Sequence, residues 1–191
     1  MKKIKIFRQI IREILLENLD DAQVLSQYAH RGQKRRSGEP YSFHPQRVAD
    51  IIKTFYPGDE VAYYAALFHD IIEDAIPLGN IEDEEELYTF IADIVEDDAA
   101  VSEIINVVKI LTKPRGGDYG AYIDMTLQHP TALKVKISDM IQNLSDFPSD
   151  NQRKKYADAF LRIVDKVGGK PSAISGDHWN TFEGLIKNGK E

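Results

Sequence analysis

A chain of 191 residues with 42% hydrophobic and 29% charged residues can bury a sizeable core and has the composition of an ordinary globular domain. Its formal net charge of −7 argues against a general nucleic-acid binder, which would carry a basic excess. The chain has no cysteine, which excludes disulfides and thiolate metal sites, so any metal must be held by His, carboxylates and water.

Residues 1–16 are basic and then apolar, but Arg8, Arg12 and Glu13 interrupt the apolar stretch and no small-residue cleavage site follows. Ile4, Phe7, Ile10, Ile11, Ile14 and Leu15 recur at helical spacing. They predict an amphipathic helix packed on the domain, with membrane-surface binding as the alternative. No apolar run reaches the length of a membrane span, so we expect a cytoplasmic protein with no membrane partner. A second helix starts at Asp20 or Asp21, either of which can cap it, and carries Val24, Leu25, Tyr28 and Ala29.

Gly32, Gly38 and Pro40 mark the stretch from 29 to 41 as a loop, and Arg31, Lys34, Arg35 and Arg36 crowd it with positive charge. Charge alone allows either a solvated loop or a local anion site, where guanidinium forks match phosphate oxygens and stack on a base. Pro45 suits the first turn of the next helix, which places His44 at its entrance; Val48, Ile51, Ile52 and Phe55 follow at helical spacing up to Pro57-Gly58.

The stretch from Ala66 to Ala75 carries His69, Asp70, Glu73 and Asp74. On an α-helix, His69 and Glu73 are four apart, as are Asp70 and Asp74, so two polar pairs climb adjacent rows of one face. Four ionisable groups on an otherwise apolar helix are costly to bury without a compensating charge. A divalent ion held by His and Asp would compensate them, and the further carboxylates could orient its water.

Beyond Asn80 the acidic run from Glu82 to Glu86 reads as the polar start of an amphipathic helix with Leu87, Phe90, Ile91 and Ile94 inside. Another helix buries Ile104, Val107, Val108 and Leu111. The loop Lys113-Pro114-Arg115-Gly116-Gly117-Asp118 is too short for a P-loop and lacks its Lys-Ser/Thr. From Thr131 to Asp146, Leu133, Ile137, Met140, Ile141 and Leu144 form a core stripe, with Lys136, Asp139 and Asn143 on a second stripe beside it. A last long helix holds Tyr156, Phe160, Ile163, Val164 and Val167, and a short terminal helix with Trp179, Phe182, Leu185 and Ile186 closes the chain as a lid or brace. No run of paired strands is visible. An all-α fold of about eight to ten helices follows.

His44, the His69-Asp70 pair and Asp139, in this order on separate helices, resemble the HD superfamily of metal-dependent phosphohydrolases. Further segments are His30-Arg31-Gly32-Gln33, Ser37-Gly38-Glu39-Pro40-Tyr41, His44-Pro45, Leu67-Phe68-His69-Asp70-Ile71-Ile72-Glu73-Asp74 and Val135-Lys136-Ile137-Ser138-Asp139. Together they are similar to the hydrolase domain of the RelA/SpoT alarmone enzymes over roughly residues 22 to 165. The resemblance implies a single HD-type hydrolase domain over 1–169, including the N-terminal helix, with 170–191 as an extension packed on it. It also implies a stand-alone alarmone hydrolase that removes the 3′-pyrophosphate of (p)ppGpp with one manganese ion.

By resemblance, His44, His69, Asp70 and Asp139 are the metal ligands, and Glu73 and Asp74 position or deprotonate the attacking water. Arg35, Arg36 and Ser37 match the loop at the guanine and phosphate end, Lys136 lies in the matching motif, and Asn143 matches a nucleotide-contacting asparagine. His30, His129 and His178 read as structural, which favours a single metal. Two departures stand out. Met140-Ile141-Gln142-Asn143-Leu144 replaces the family's basic residue and His-Asn-Met, and Asp146 stands where a small hydroxyl residue is usual and would repel phosphate. The alternatives are another nucleotide substrate (the 2′-phosphate of NADPH, ppApp or a deoxynucleotide) or a catalytically silent nucleotide sensor.

Overall fold

A computed structural model describes residues 20–188, so the helix expected over 1–16 lies outside the described residues. In chain order the helices are α1 (Asp21–Ala29), α2 (Phe43–Phe55), α3 (Glu60–Phe68), α4 (Glu84–Ile94), α5 (Asp98–Leu111), α6 (Tyr119–Leu127), α7 (Pro130–Ser145), α8 (Asp150–Val167) and α9 (Gly176–Asn188). A π-helical turn, Ile71–Ala75, follows α3. Among the described residues the only β pairing is an isolated bridge between Lys34 and Pro40, so the chain is all-α as its periodicity predicts.

Acidic side chains start most of these helices. Asp20, Asp59, Asp83, Asp97 and Asp118 each accept a backbone N–H from the first turn they cap, and Asp20 forms a capping box with Gln23. Part of the net negative charge is therefore local helix chemistry, favourable at the positive end of the helix dipole. His129 caps α7 ahead of Pro130 and reaches Glu103 at 3.2 Å, a structural role as its position before proline suggested.

Two apolar cores meet at α7. The first gathers Leu25, Val48, Ile52, Leu67, Phe68, Ile71, Ile91 and Ile104 from α1 to α5. The second gathers Tyr122, Phe160, Ile163, Trp179 and Phe182 from α6, α8 and α9. Helix α7 gives Ala132 and Val135 to the first core and Leu133, Ile137, Met140, Ile141 and Leu144 to the second. A helix buried on nearly every side can hold a polar residue only where something compensates it, and Ser138, Asp139, Gln142 and Asn143 are all buried there.

The brace expected at the C-terminus is α9, which buries Trp179, Phe182 and Ile186. His178 is fully buried and stacks on Phe55 with ring centroids 4.7 Å apart. Its donors and acceptors form one directed chain. The Ser175 N–H donates to the Tyr56 oxygen (3.1 Å), and the Tyr56 hydroxyl donates to His178 Nδ1 (2.9 Å). His178 Nε2–H then donates to Ser138 Oγ (3.2 Å), which donates to the Lys134 carbonyl (2.9 Å). Every hydrogen is used with His178 neutral. His178 thus has a structural role, and it ties α9 to Ser138, the residue next to Asp139.

Candidate metal centre and adjoining pocket

Three elements converge on one point. Helix α2 brings His44 from its first turn, the end of α3 brings His69 and Asp70, and α7 brings Asp139. The continuous α-helix expected through Ala66–Ala75 is not what forms: α3 stops at Phe68, and Ile71–Ala75 is a π turn in which the Ile76 N–H reaches the Ile71 carbonyl at 3.1 Å. The Asp74 N–H still meets the Asp70 carbonyl at 2.9 Å, as in an α turn, and the register widens after it. Such π insertions recur at functional sites because they re-aim side chains without breaking the helix.

His44 Nε2 lies 3.5 Å from Asp70 Oδ2 and 3.2 Å from Asp139 Oδ1; His69 Nε2 lies 3.1 Å from Asp70 Oδ2 and 3.9 Å from Asp139 Oδ1. His44, His69 and Asp70 form a group whose ligand atoms all lie within 4.8 Å of one another, and Asp139 adjoins it. The far nitrogen of each ring is occupied: His44 Nδ1 donates to Gln142 Oε1, and His69 Nδ1 donates to the Ala66 carbonyl at 2.7 Å. That turns the two Nε2 atoms inward, where both are buried without a hydrogen-bond partner. Two inward lone pairs facing two carboxylates fit a divalent cation with nitrogen and oxygen ligands.

The electrostatics agree. Burial works against the charge on Asp139, but the Lys136 ammonium at 2.8 Å and His44 hold its carboxyl far below the usual range. Asp70 is likewise lowered, by His69 and His44 against burial. Burial would depress His44, yet Asp139 and Asp70 raise it to about 9. A proton and a cation would compete for the same His44 Nε2 lone pair. Tyr41 donates to Asp70 Oδ2 at 2.6 Å, and burial together with Asp70 raises its pKa, which keeps it a donor.

Glu73 is exposed, and its pKa is raised by desolvation and by Asp70, while its carboxylate accepts the backbone N–H of Lys113. Asp74 Oδ2 accepts Gln33 Nε2–H at 2.8 Å, and Gln33 Oε1 accepts His30 Nδ1–H at 2.9 Å. His30 therefore supports Asp74 from behind and lies outside the ligand group, while its own Nε2 is also buried without a hydrogen-bond partner.

Beside this centre lies a cavity of about 900 Å³ lined by Lys34, Arg35, Arg36, Ser37, Tyr41, Asn143, Asp146 and Phe147, among others. The basic loop folds back tightly, with Arg35 N–H on the Glu39 carbonyl (2.8 Å), Gly38 at φ +90° and Tyr41 N–H on the Gln33 carbonyl (2.9 Å). Arg36 and Ser37 border the cavity as exposed side chains. Arg35 does not project freely. It donates to Asp146 Oδ2 (3.0 Å), Gln142 Oε1 (3.2 Å) and Asn143 Oδ1 (3.1 Å). Asn143 in turn donates to Asp139 Oδ1 at 2.5 Å. Phe147, at φ +47° and 87% exposed, stands on the rim.

Sequence reasoning did not foresee Tyr41, Gln33 or Gln142 as partners of the centre. Tyr41 and Gln33 belong to segments that carry the resemblance, and Gln142 is one turn from Asp139, where helical spacing flags it. Asp146 was marked only as a repulsive departure, and its pairing with Arg35 is the structural answer.

The HD domain family profile matches residues 22–165. A guanosine-3′,5′-bis(diphosphate) 3′-pyrophosphohydrolase of Haemophilus influenzae is 44% identical over 144 residues, 73% of this chain and 20% of that protein. The bifunctional (p)ppGpp synthase/hydrolase SpoT of Escherichia coli is 26% identical over 162 residues, 83% of this chain and 22% of SpoT. A GTP pyrophosphokinase of Myxococcus xanthus is 29% identical over 152 residues, 78% of this chain and 20% of that protein. The chain thus spans about a fifth of the length of these curated relatives. With the profile covering most of its length, and with His44, His69, Asp70 and Asp139 gathered at one point, the chain belongs to the HD domain family and resembles its RelA/SpoT-type members.

Proposed function

We propose that the chain is a metal-dependent phosphohydrolase acting as a guanosine-3′,5′-bis(diphosphate) 3′-pyrophosphohydrolase, with one Mn²⁺ held by His44, His69, Asp70 and Asp139. The observation that carries this reading is the pair of buried, partnerless Nε2 atoms facing two carboxylates beside a basic cavity. The activity named for the Haemophilus influenzae and Escherichia coli relatives supplies the substrate class.

When bound, the cation supplies Lewis acidity toward a phosphoryl oxygen and lowers the pKa of a coordinated water toward neutrality. The chain's residues do the rest. Glu73, its carboxyl raised by desolvation and by Asp70, accepts the water proton. Asp74, held by Gln33, orients that water. The water oxygen bonds to the phosphorus attached to the ribose 3′ oxygen and the phosphorus–O3′ bond breaks. The proton taken by Glu73 is returned to O3′, leaving GDP or GTP and pyrophosphate. Lys136, hydrogen-bonded to Asp139 at 2.8 Å, keeps that ligand ionised. Arg36, Lys34 and Ser37 take the phosphates on the cavity side, and Arg35 and Asn143 border the base.

One observation favours a second reading. Asp146 offsets the charge of Arg35 inside the cavity, which lowers the local demand for phosphate and suits a nucleotide with a different phosphate pattern, such as the 2′-phosphate of NADPH. A panel of ppGpp, pppGpp, ppApp, NADPH and deoxynucleotides assayed with Mn²⁺ tests both. Release of pyrophosphate from ppGpp at the highest kcat/KM of the panel is the expected result. Turnover of NADPH alone selects the second reading, and no turnover of any, with nucleotide still bound, leaves a sensor.

A further inference from the structure

We infer that Arg35, acting through Gln142 and Asn143, is a positioning residue for the metal centre: it sets the polarity of the two amides that orient His44 and Asp139. This inference rests on those two residues being ligands and does not depend on the substrate.

The argument is one of donors and acceptors. A side-chain amide can present either its oxygen or its NH₂, whereas a guanidinium has only donors. Arg35 meets Gln142 at 3.2 Å and Asn143 at 3.1 Å, so both amides must turn their oxygens toward it. For Gln142, that oxygen also faces His44 Nδ1, so Nδ1 must carry the hydrogen. Nε2 is then the atom left to bind, and it points at Asp139 and Asp70. For Asn143, turning the oxygen to Arg35 leaves its NH₂ to donate to Asp139 Oδ1. Lys136 holds the other oxygen of the same carboxylate at 2.8 Å. Asp139 is thereby clamped from both sides and cannot rotate away from the centre.

None of these groups is free to re-solvate. Gln142 is 5% exposed, Asn143 9%, His44 1%, and the Arg35 side chain 10%. Asp146 completes the device by anchoring Arg35 Nε at 3.0 Å, which fixes the guanidinium in the plane that reaches both amides. The carboxylate that looked like an obstacle to phosphate is on this account the anchor of the relay. It also ties the basic loop to α7 across 111 residues of sequence.

The test measures metal affinity of the full chain without nucleotide, by Mn²⁺ titration with electron paramagnetic detection. Gln142→Leu removes the acceptor for His44, and affinity should fall by about 10–100-fold, the usual effect of deleting a partner that orients a ligand. Gln142→Glu needs no orienting, because a carboxylate only accepts, so its affinity should stay near wild type. The decisive comparison is Arg35→Met. In the wild-type background it should weaken Mn²⁺ binding, because Gln142 is freed to flip. In the Gln142→Glu background the loss should be smaller, because only Asn143 is then freed to flip. Nitrogen-15 spectra of the zinc-loaded protein should show His44 protonated at Nδ1 and coordinated through Nε2. The Gln142→Glu pair keeps the question answerable even where Gln142→Leu does not fold. A wild-type chain that binds no Mn²⁺ refutes the metal centre itself. A wild-type chain that binds Mn²⁺ while Arg35→Met loses nothing overturns the relay alone, and an equal loss in both backgrounds overturns its Gln142 arm.

Discussion

Acid should unfold this protein partly through a histidine that is not in the centre at all. Burial lowers His178 from 6.5 to about 4, because the ring is enclosed by Phe55, Tyr56 and Ser138 with its hydrogen bonds already complete in the neutral form. The folded state thus resists a proton that the unfolded chain takes up near 6.5, so the unfolded state binds more protons and stability falls as the pH is lowered. The contribution is complete above pH 6.5, fades through the interval down to about 4, and is gone below it. A drop of about 2.5 units corresponds to roughly 3 kcal/mol at the limit, and to about 2 kcal/mol lost by pH 5. The assay is urea unfolding of wild type and His178→Gln at several values between pH 7.5 and 4.5. Glutamine keeps a donor for Ser138 but cannot titrate. His44, raised to about 9, and His30, lowered by burial, shift stability with pH in both proteins and cancel in the difference. The gap between the two stabilities should shrink steadily on acidification by about 2 kcal/mol at pH 5. A gap that stays constant over that range would refute the buried, neutral state assigned to His178.

The remaining expectations concern the centre and the cavity. Glu73→Gln keeps shape and removes the base, so turnover should fall by about two to four orders of magnitude while Mn²⁺ and nucleotide binding persist; steady-state kinetics and a metal titration check the two halves separately. Arg36→Ala should raise KM with little change in kcat, and added salt should narrow the difference from wild type, since Arg36 is an exposed cation on the cavity wall. Arg35→Lys cannot supply donors to Asp146, Gln142 and Asn143 together, so it should weaken both substrate and metal binding, a pattern that Arg36→Ala should not show. Mn²⁺ affinity should fall on acidification below about 9, because the cation must displace the proton that Asp139 and Asp70 hold on His44; isothermal titration in buffers of differing ionisation heat would count that proton.

Much of this was legible in the residues because periodicity reports burial directly. The stripe Leu133, Ile137, Met140, Ile141 and Leu144 is buried as read, and the neighbouring Lys136, Asp139 and Asn143 are joined by hydrogen bonds. Asp20 caps α1, and the acidic run before Leu87 is the start of α4. The π turn was not legible, because one extra residue per turn leaves no mark in a five-residue window of two isoleucines, two acids and an alanine. Nor was the fate of Arg35. A basic loop reads as available charge until its partners are known, and Asp146 lies 111 residues further along the chain.

That pairing also changes how an acidic protein would hold a polyanion. Counting Lys34, Arg35 and Arg36 as equivalent cations overstates the field in the cavity, because Arg35 and Asp146 meet at 2.9 Å with both side chains mostly buried. Their charges largely cancel at any distance longer than the pair itself. Lys136 is likewise paired with Asp139 at 2.8 Å, so attraction is left to Lys34 and Arg36 at the mouth and, at the centre, to the charge a cation would add. On the proposed reading, phosphate recognition would be split between the two ends of the site, with a nearly neutral, hydrogen-bonding stretch of Arg35, Asn143 and Tyr41 between them. A nucleotide with phosphate groups at two positions and a base or sugar in the middle matches that order of charges. One whose phosphates form a single unbroken run would lay negative charge across Asp146.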